Sequence, residues 1–217
     1  MESSGRKLKN GKGFPDAEKP AFFRKIREHR PGIIGEREIF RSAVCIPLLK
    51  SAEGYHVLFE VRSRRIPDQP GDICLPGGRM EPGESPEETA LRELCEELLI
   101  SGEQANLIGP NDIFHNGNLI IYPYVVLLSD YRNTFHEAEV ESVFTVPLQY
   151  FKETEPEAFC VGSVVTPGED FPYDRINGGR NYRWRGRSSV ELFYQYEGHW
   201  IWGITARIMR AFAEGFL

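Results

Sequence analysis

Residues 77–100 read GGRMEPGESPEETALRELCEELLI, and how this stretch folds decides the rest of the chain. Ser85-Pro86-Glu87-Glu88 is a helix start. Ser85 caps, Pro86 suits the first helical position because no N–H is needed there, and Glu88 closes a capping box. Beyond it Leu91, Leu94, Cys95 and Leu98 recur at helical spacing and form a stripe to be buried. With 3.6 residues per turn, Glu93, Glu96 and Glu97 fall together on the opposite, exposed side, and Glu84 can fold back towards them. Same-sign pairs one turn apart cost a few tenths of a kcal/mol each, and Arg92 alone cannot offset them. Such a patch is either an ordinary solvated face or the seat of something cationic. Mg²⁺ or Mn²⁺ suits the second reading, because hard cations prefer oxygen ligands and commonly bridge carboxylates to phosphates.

Working outward, the acidity proves local. Eight Glu against two Arg over residues 78–103 leave −6, which equals the formal net charge of the whole chain. That balance argues against nonspecific binding to nucleic acid or to an anionic membrane, and no apolar run approaches the ~18 residues of a membrane span. The four cysteines, Cys45, Cys74, Cys95 and Cys160, form no CxxC pair. A disulfide framework or zinc site is therefore not expected, and a reducing, cytoplasmic setting fits best. Residues 1–20 read as a polar, flexible lead-in and 21–217 as a single domain, for which a homodimer is one open state.

Apolar periodicity supplies the remaining elements. AFFRKIREHR (21–30) predicts a short amphipathic helix ended by Pro31-Gly32. SAVCIPLLK and YHVLFEVRS, separated by SAEG, predict a hairpin; NLIIYPYVVLLS (118–129) predicts a strand bent at Pro123. EVESVFTVPLQYF begins as a strand or turn and enters a short helix after Pro147, and SSVELFYQYEGHWIWG gives two strands turning near Glu197-Gly198. Ile204, Ile208, Ala211 and Phe212 at helical spacing close the chain with a helix. The sum is a mixed α/β sandwich.

The acidic stretch resembles the Nudix hydrolase signature: Gly, five residues, Glu, seven residues, then Arg-Glu-aliphatic-any-Glu-Glu-any-Gly-aliphatic. Here it runs Gly78, Glu84, Arg92-Glu93-Leu94, Glu96-Glu97 and Leu99-Ile100. Leu99 stands where the family has glycine. Since a left-handed leucine costs about 1–2 kcal/mol, the helix is expected to run slightly longer, with Gly102 supplying the turn. The resemblance implies an α/β (α+β) fold, a mixed β-sheet between α-helices, with the signature over 78–100 as loop, helix and loop. It implies hydrolysis of a diphosphate linked to a nucleoside, with Mg²⁺ or Mn²⁺ held by Glu93, Glu96, Glu97 and the Gly78 carbonyl. Arg92 would orient a glutamate. The general base in many members lies outside the signature, and Glu139 within HEAEVESVF is the candidate, a surface charge on a loop being the plain alternative.

Upstream, LFEVRSRRIPDQPGDICLPGG resembles the coenzyme A diphosphatase subgroup, in which Arg-Ser is followed at set intervals by Arg, Gly and Phe-Pro-Gly-Gly. The intervals are kept by Arg62-Ser63, Gly71 and Pro76-Gly77-Gly78, but Pro67 replaces the arginine and Leu75 the phenylalanine. HWIWGITARI is similar to that subgroup's closing segment. On this likeness the products are 3′,5′-ADP and 4′-phosphopantetheine or its acyl form, and Arg62, Arg64 and Arg65 are candidates for the substrate phosphates. Arginines at a strand end are also commonly just solvated. Another small nucleoside diphosphate, such as ADP-ribose, NADH or a nucleotide sugar, is the rival substrate. A non-catalytic binding module is the rival class, opposed by the intact Arg-Glu and Glu-Glu positions. The Arg- and aromatic-rich segment 173–187 reads first as a polar surface loop and second as a lid over the nucleotide.

Overall fold

Side chains of strand β1 (Phe40–Ser51) alternate between two faces, and both faces are apolar. Ala43, Cys45 and Leu49 join one hydrophobic cluster, while Val44, Ile46 and Leu48 join another. A strand apolar on both faces has to lie inside a sheet covered on both sides. The computed structural model, which describes residues 21–217, has this arrangement. Among these residues the larger sheet runs β3 (Ile73–Cys74), β2 (Gly54–Arg62), β1, β7 (Leu119–Leu128) and β5 (Ala105–Pro110). Three further strands join it: β4 (Gly77–Arg79) on β1, β6 (Phe114–Asn116) on β7 and β8 (Val140–Pro147) on β2. β1 and β7 are parallel, in register from Phe40 opposite Leu119 to Leu49 opposite Leu128; their neighbours pair antiparallel. β7 holds that register through Pro123, which lies opposite Val44. A smaller antiparallel sheet is built of β9 (Glu157–Ser163), β10 (Arg187–Tyr196) and β11 (His199–Trp202).

Helices cover both faces of the larger sheet. Helix α2 (Pro86–Leu98) buries Ala90, Leu94 and Leu98 against Ala43, Cys45, Leu58 and Val126. Full burial of one leucine is worth about 1.5–3 kcal/mol, so Leu94 and Leu98 outweigh the repulsion along the helix's acidic side. On the other face, α3 (Leu148–Glu153) contributes Phe151, and α4 (Gly203–Phe216) contributes Ala206, Ile208, Met209 and Phe212. The mixed α+β architecture, with its sheet between helices, is thus present.

The described residues divide into two units, 21–38 and Ile39–Leu217. The first contains α1 (Ala21–Glu28), whose end two residues before the expected limit keeps the helix clear of Pro31. The lead-in expected over 1–20 lies outside the described residues. Strand β9 was not expected: it is exposed along its whole length, so no alternation marks it. No described helix is long and apolar enough to cross a membrane.

The end of α2 overturns one expectation. The helix does not run on to Gly102; it stops at Leu98, and Leu99 itself adopts the left-handed conformation, with φ 53° and ψ 47°. Ile100 N–H donates to the Cys95 carbonyl at 3.1 Å while the Ile100 side chain packs on the Leu94–Leu98 cluster, which makes a Schellman turn. The partial burial of Ile100 offsets part of what the leucine backbone loses.

Candidate functional site

The start of α2 is capped as its sequence requires: Ser85 Oγ accepts from Glu88 N–H at 3.2 Å, and Glu88 Oε2 accepts from Ser85 N–H at 2.8 Å. From this anchored end Arg92 reaches back across the loop. Its Nε donates to Glu84 Oε1 at 2.7 Å, and one terminal nitrogen donates to Glu93 Oε1 at 2.9 Å and to Glu96 Oε2 at 3.1 Å. One guanidinium therefore serves three carboxylates. The Arg92 hydrogen bond, with those from Glu81 N–H and Thr89, pulls the Glu84 carboxyl down to about 2. Glu93 is pushed the other way, because burial outweighs its bond to Arg92.

Glu97 does not share in this Arg92-centred group. Helical spacing put it with Glu93 and Glu96, but the side chain is buried, at 7% exposure. The reason is strand β4. Gly77 has φ 151°, and a Cβ there would run into the Ala43 carbonyl and Val44 Cα; a Cβ on Gly78 would collide with the Glu93 carboxylate. Two glycines let β4 lie close to both β1 and α2, and Gly77 N–H donates to Glu97 Oε2 at 2.8 Å. Burial, with the nearby charges of Glu93 and Glu139, pushes Glu97 up to about 8 despite that bond.

Beneath Glu97 lies a residue that no motif in the sequence marks. Glu60 on β2 is 1% exposed, its Oε1 has no hydrogen-bond partner, and its carboxyl lies against that of Glu97. Burial first, and then Glu97, raise its pKa well above the usual carboxylate range. A signal was available: Glu60 follows Leu58 at the period of two, on the side of the sheet that α2 covers.

Glu139 sits in the loop before β8, about half exposed, with Oε1 3.4 Å from His136 Nδ1. Backbone bonds fix the loop: His136 N–H donates to the Glu97 carbonyl at 2.7 Å, Ser63 N–H donates to the Glu139 carbonyl at 2.8 Å, and Thr134 Oγ1 donates to the Leu98 carbonyl at 2.6 Å. The same bonds satisfy the last carbonyls of α2. The three arginines, by contrast, diverge. Arg62 Nε donates to the Asp68 carbonyl at 3.2 Å, exposed Arg64 pairs with Glu141 at 3.3 Å, and Arg65 lines with Arg64 and Ser63 a cleft of about 370 Å³. The 173–187 segment folds as two 3₁₀ turns, with Arg180 over the Tyr173 ring and Trp184 edge-on to Phe171 and Tyr182.

The donors suit a hard divalent cation. They are carboxylate oxygens and one backbone carbonyl, and one buried oxygen, Glu60 Oε1, is left without a donor. Among the described residues no three acid, histidine or cysteine side chains form a ready cation cage, and Arg92 and Gly77 N–H hold oxygens of Glu93 and Glu97.

The NUDIX domain profile matches residues 39–160. The chain is 30% identical to the mouse peroxisomal coenzyme A diphosphatase NUDT7 over 155 residues, covering 68% of this chain and 65% of that protein. It is 36% identical to the Caenorhabditis elegans peroxisomal coenzyme A diphosphatase ndx-8, covering 51% of this chain and 50% of that protein. With the uncharacterized Nudix hydrolase NudL of Yersinia enterocolitica it shares 31% identity, over 88% of either chain. Against the two relatives named as coenzyme A diphosphatases, the chain spans half to about two thirds of the relatives' length.

Proposed function

This chain belongs to the Nudix hydrolase family, and from that premise we propose that it is a Mg²⁺- or Mn²⁺-dependent diphosphatase. Its substrate is coenzyme A or acyl-coenzyme A, cut to 3′,5′-ADP and 4′-phosphopantetheine or its acyl form. The observation that carries the proposal is the joint between the two motifs: Gly77 N–H, at the end of the coenzyme A-type segment, donates to Glu97 of the acidic helix at 2.8 Å. Substrate segment and acidic cluster are thereby joined directly.

When bound, the cation neutralises the diphosphate and acidifies a water for attack on phosphorus. Glu93 and Glu97 hold it, with Glu96 and the Gly78 carbonyl beside them. Arg92 fixes Glu93 through the 2.9 Å charge-assisted bond. Glu139, tethered to the helix end through His136, takes the proton of the attacking water. Arg62, Arg64 and Arg65 receive the substrate's phosphates. Arg64 can exchange Glu141 for phosphate at little cost, because an exposed ion pair contributes only about 0–1 kcal/mol. Nothing in the proposal calls for a nucleic-acid or membrane partner, and the four free thiols support a cytoplasmic setting.

A second reading keeps the fold and metal but takes another nucleoside diphosphate. It is favoured by Pro67, where the subgroup's arginine would give five donors. Incubation with coenzyme A and Mn²⁺ should release 3′,5′-ADP and 4′-phosphopantetheine. A tenfold or greater preference for ADP-ribose or NADH would transfer the assignment to the second reading.

A further inference from the structure

Glu60 stands two residues beyond Leu58 on β2 and therefore points to the side of the sheet that α2 covers. Leu58 fills its space there with hydrocarbon, as Leu94 and Leu98 do from the helix. Glu60 places a carboxyl in the same layer, 1% exposed, with Oε1 unpartnered and the group directed at Glu97. Glu139 stands nearby from the loop before β8, Cys74 lies opposite on β3, and Arg62 lies further along β2. Arg62, the cation of that set, spends its Nε on the Asp68 carbonyl.

Two carboxyl groups face to face out of water are costly for a fold. An unpaired buried carboxylate loses several kcal/mol of solvation, and an apolar side chain would close the same gap without that loss. We propose that Glu60 is a ligand of the divalent cation that Glu97 also holds, a metal ligand contributed by the sheet and lying outside the signature helix. The inference rests on the metal-dependent reading above. It gives the buried, unpartnered Oε1 a partner in a hard cation, where the metal-free protein offers the Glu60 carboxyl only a proton shared with Glu97. It also gives Glu97 a second carboxylate on its own side, whereas Glu93 and Glu96 are engaged by Arg92.

Glutamine at position 60 separates a ligand from a filler, since it keeps the shape and can donate to Glu97 but is a far poorer cation ligand. Mn²⁺ binding to the full chain, followed by electron paramagnetic resonance of the free ion without substrate, compares the wild type with Glu60→Gln and Glu60→Asp. Glu60→Gln should bind Mn²⁺ ~10-fold or more weakly, or one ion fewer, with its circular dichroism unchanged. Equal affinity and stoichiometry in wild type and Glu60→Gln overturn the inference and leave the diphosphatase reading standing. If the wild type itself takes up no Mn²⁺, even with a methylene-bridged nucleotide diphosphate present, the reading beneath fails and the inference with it. Should Glu60→Gln not fold, Glu60→Asp carries the test: its carboxylate is drawn back by one methylene, so weakened Mn²⁺ binding supports the ligand role and unaltered binding overturns it.

Discussion

The two ends of helix α2 treat their carboxylates in opposite ways. At the start, Glu87 and Glu88 lie in the first turn, where the helix dipole favours negative charge, and a capping box secures the backbone. Arg92 gathers Glu84, Glu93 and Glu96 around one guanidinium. At the finish no basic residue stands in the last turn, Glu97 is buried beside Glu60, and the backbone turns through a left-handed leucine. The first end is compensated within the protein. At the second, burial raises the pKa of both Glu97 and Glu60 despite the charge of Arg62, and a divalent cation that replaces their protons gains most there.

Glu97→Gln tests that contrast with the largest effect. Turnover of coenzyme A should fall about a thousandfold, some 4 kcal/mol of transition-state stabilisation, while the fold persists. Wild-type turnover in this variant would break the contrast and remove Glu97 from the cation seat; a wild type that turns over no diphosphate would instead favour the non-catalytic module. Arg92→Lys probes the compensated end: it keeps the charge but loses the fork that spans Glu84, Glu93 and Glu96. Steady-state kinetics should show kcat reduced about 10- to 100-fold, in line with losing an outer-shell partner of a metal ligand. An equal loss from Arg92→Lys and Glu97→Gln would mean that the two ends act as one unit.

A pH series sharpens the same contrast without substrate. Glu97 titrates near 8 in the folded chain against an ordinary 4.5. Between those values the unfolded chain has released a proton that the folded chain keeps, so raising the pH favours unfolding. Stability of the metal-free protein should fall from about pH 5 to pH 8 by on the order of 1–3 kcal/mol, read by urea titration. Glu97→Gln should reduce that slope, leaving the part that buried Glu60 contributes, and saturating Mn²⁺ should reduce it as well. Glu84 runs the other way: its contribution is present above 4.5 and is lost as the pH falls through about 2. A stability that rises between pH 5 and 8 would contradict the burial assigned to Glu97.

Local physics made the compensated end legible and tertiary physics hid the other. Ser85, Pro86, Glu88 and the Leu91–Leu94–Leu98 stripe specify α2 with neighbours a few residues away. The β1–β2 hairpin and the β10–β11 turn at Glu197-Gly198, both with positive φ, follow from equally short-range patterns. The parallel pairing of β1 with β7 joins residues nearly eighty positions apart, and no periodicity reports it. A helical wheel places Glu97 on the solvent side because it carries no information about β4, which lies close only because Gly77 and Gly78 lack a Cβ. Glu60 had the right alternation, but its burial depends on α2 settling over it. The roles of Arg62, Arg64 and Arg65 stay proposals for a related reason: they diverge from a strand end, and only a bound phosphate would draw them together.

The smallest effect concerns the backbone that holds the uncompensated end. Leu99 occupies φ 53° and ψ 47° with its side chain 57% exposed, so little packing is lost if it is removed. Glycine adopts that conformation without a steric penalty, although it also loses more entropy on folding. The conformational gain exceeds the loss, and Leu99→Gly should stabilise the protein by about 0.5–1 kcal/mol, seen as a rise of a few degrees in Tm. The Schellman bond from Ile100 to Cys95 and the His136 tether to the Glu97 carbonyl both survive the change, so Mn²⁺ affinity should not move. A gain in stability with constant affinity would show that the strain at the turn is separate from the cation seat. A change in affinity of tenfold or more would show instead that the left-handed leucine sets the pose of Glu97, and would make the turn itself part of the contrast between the two ends.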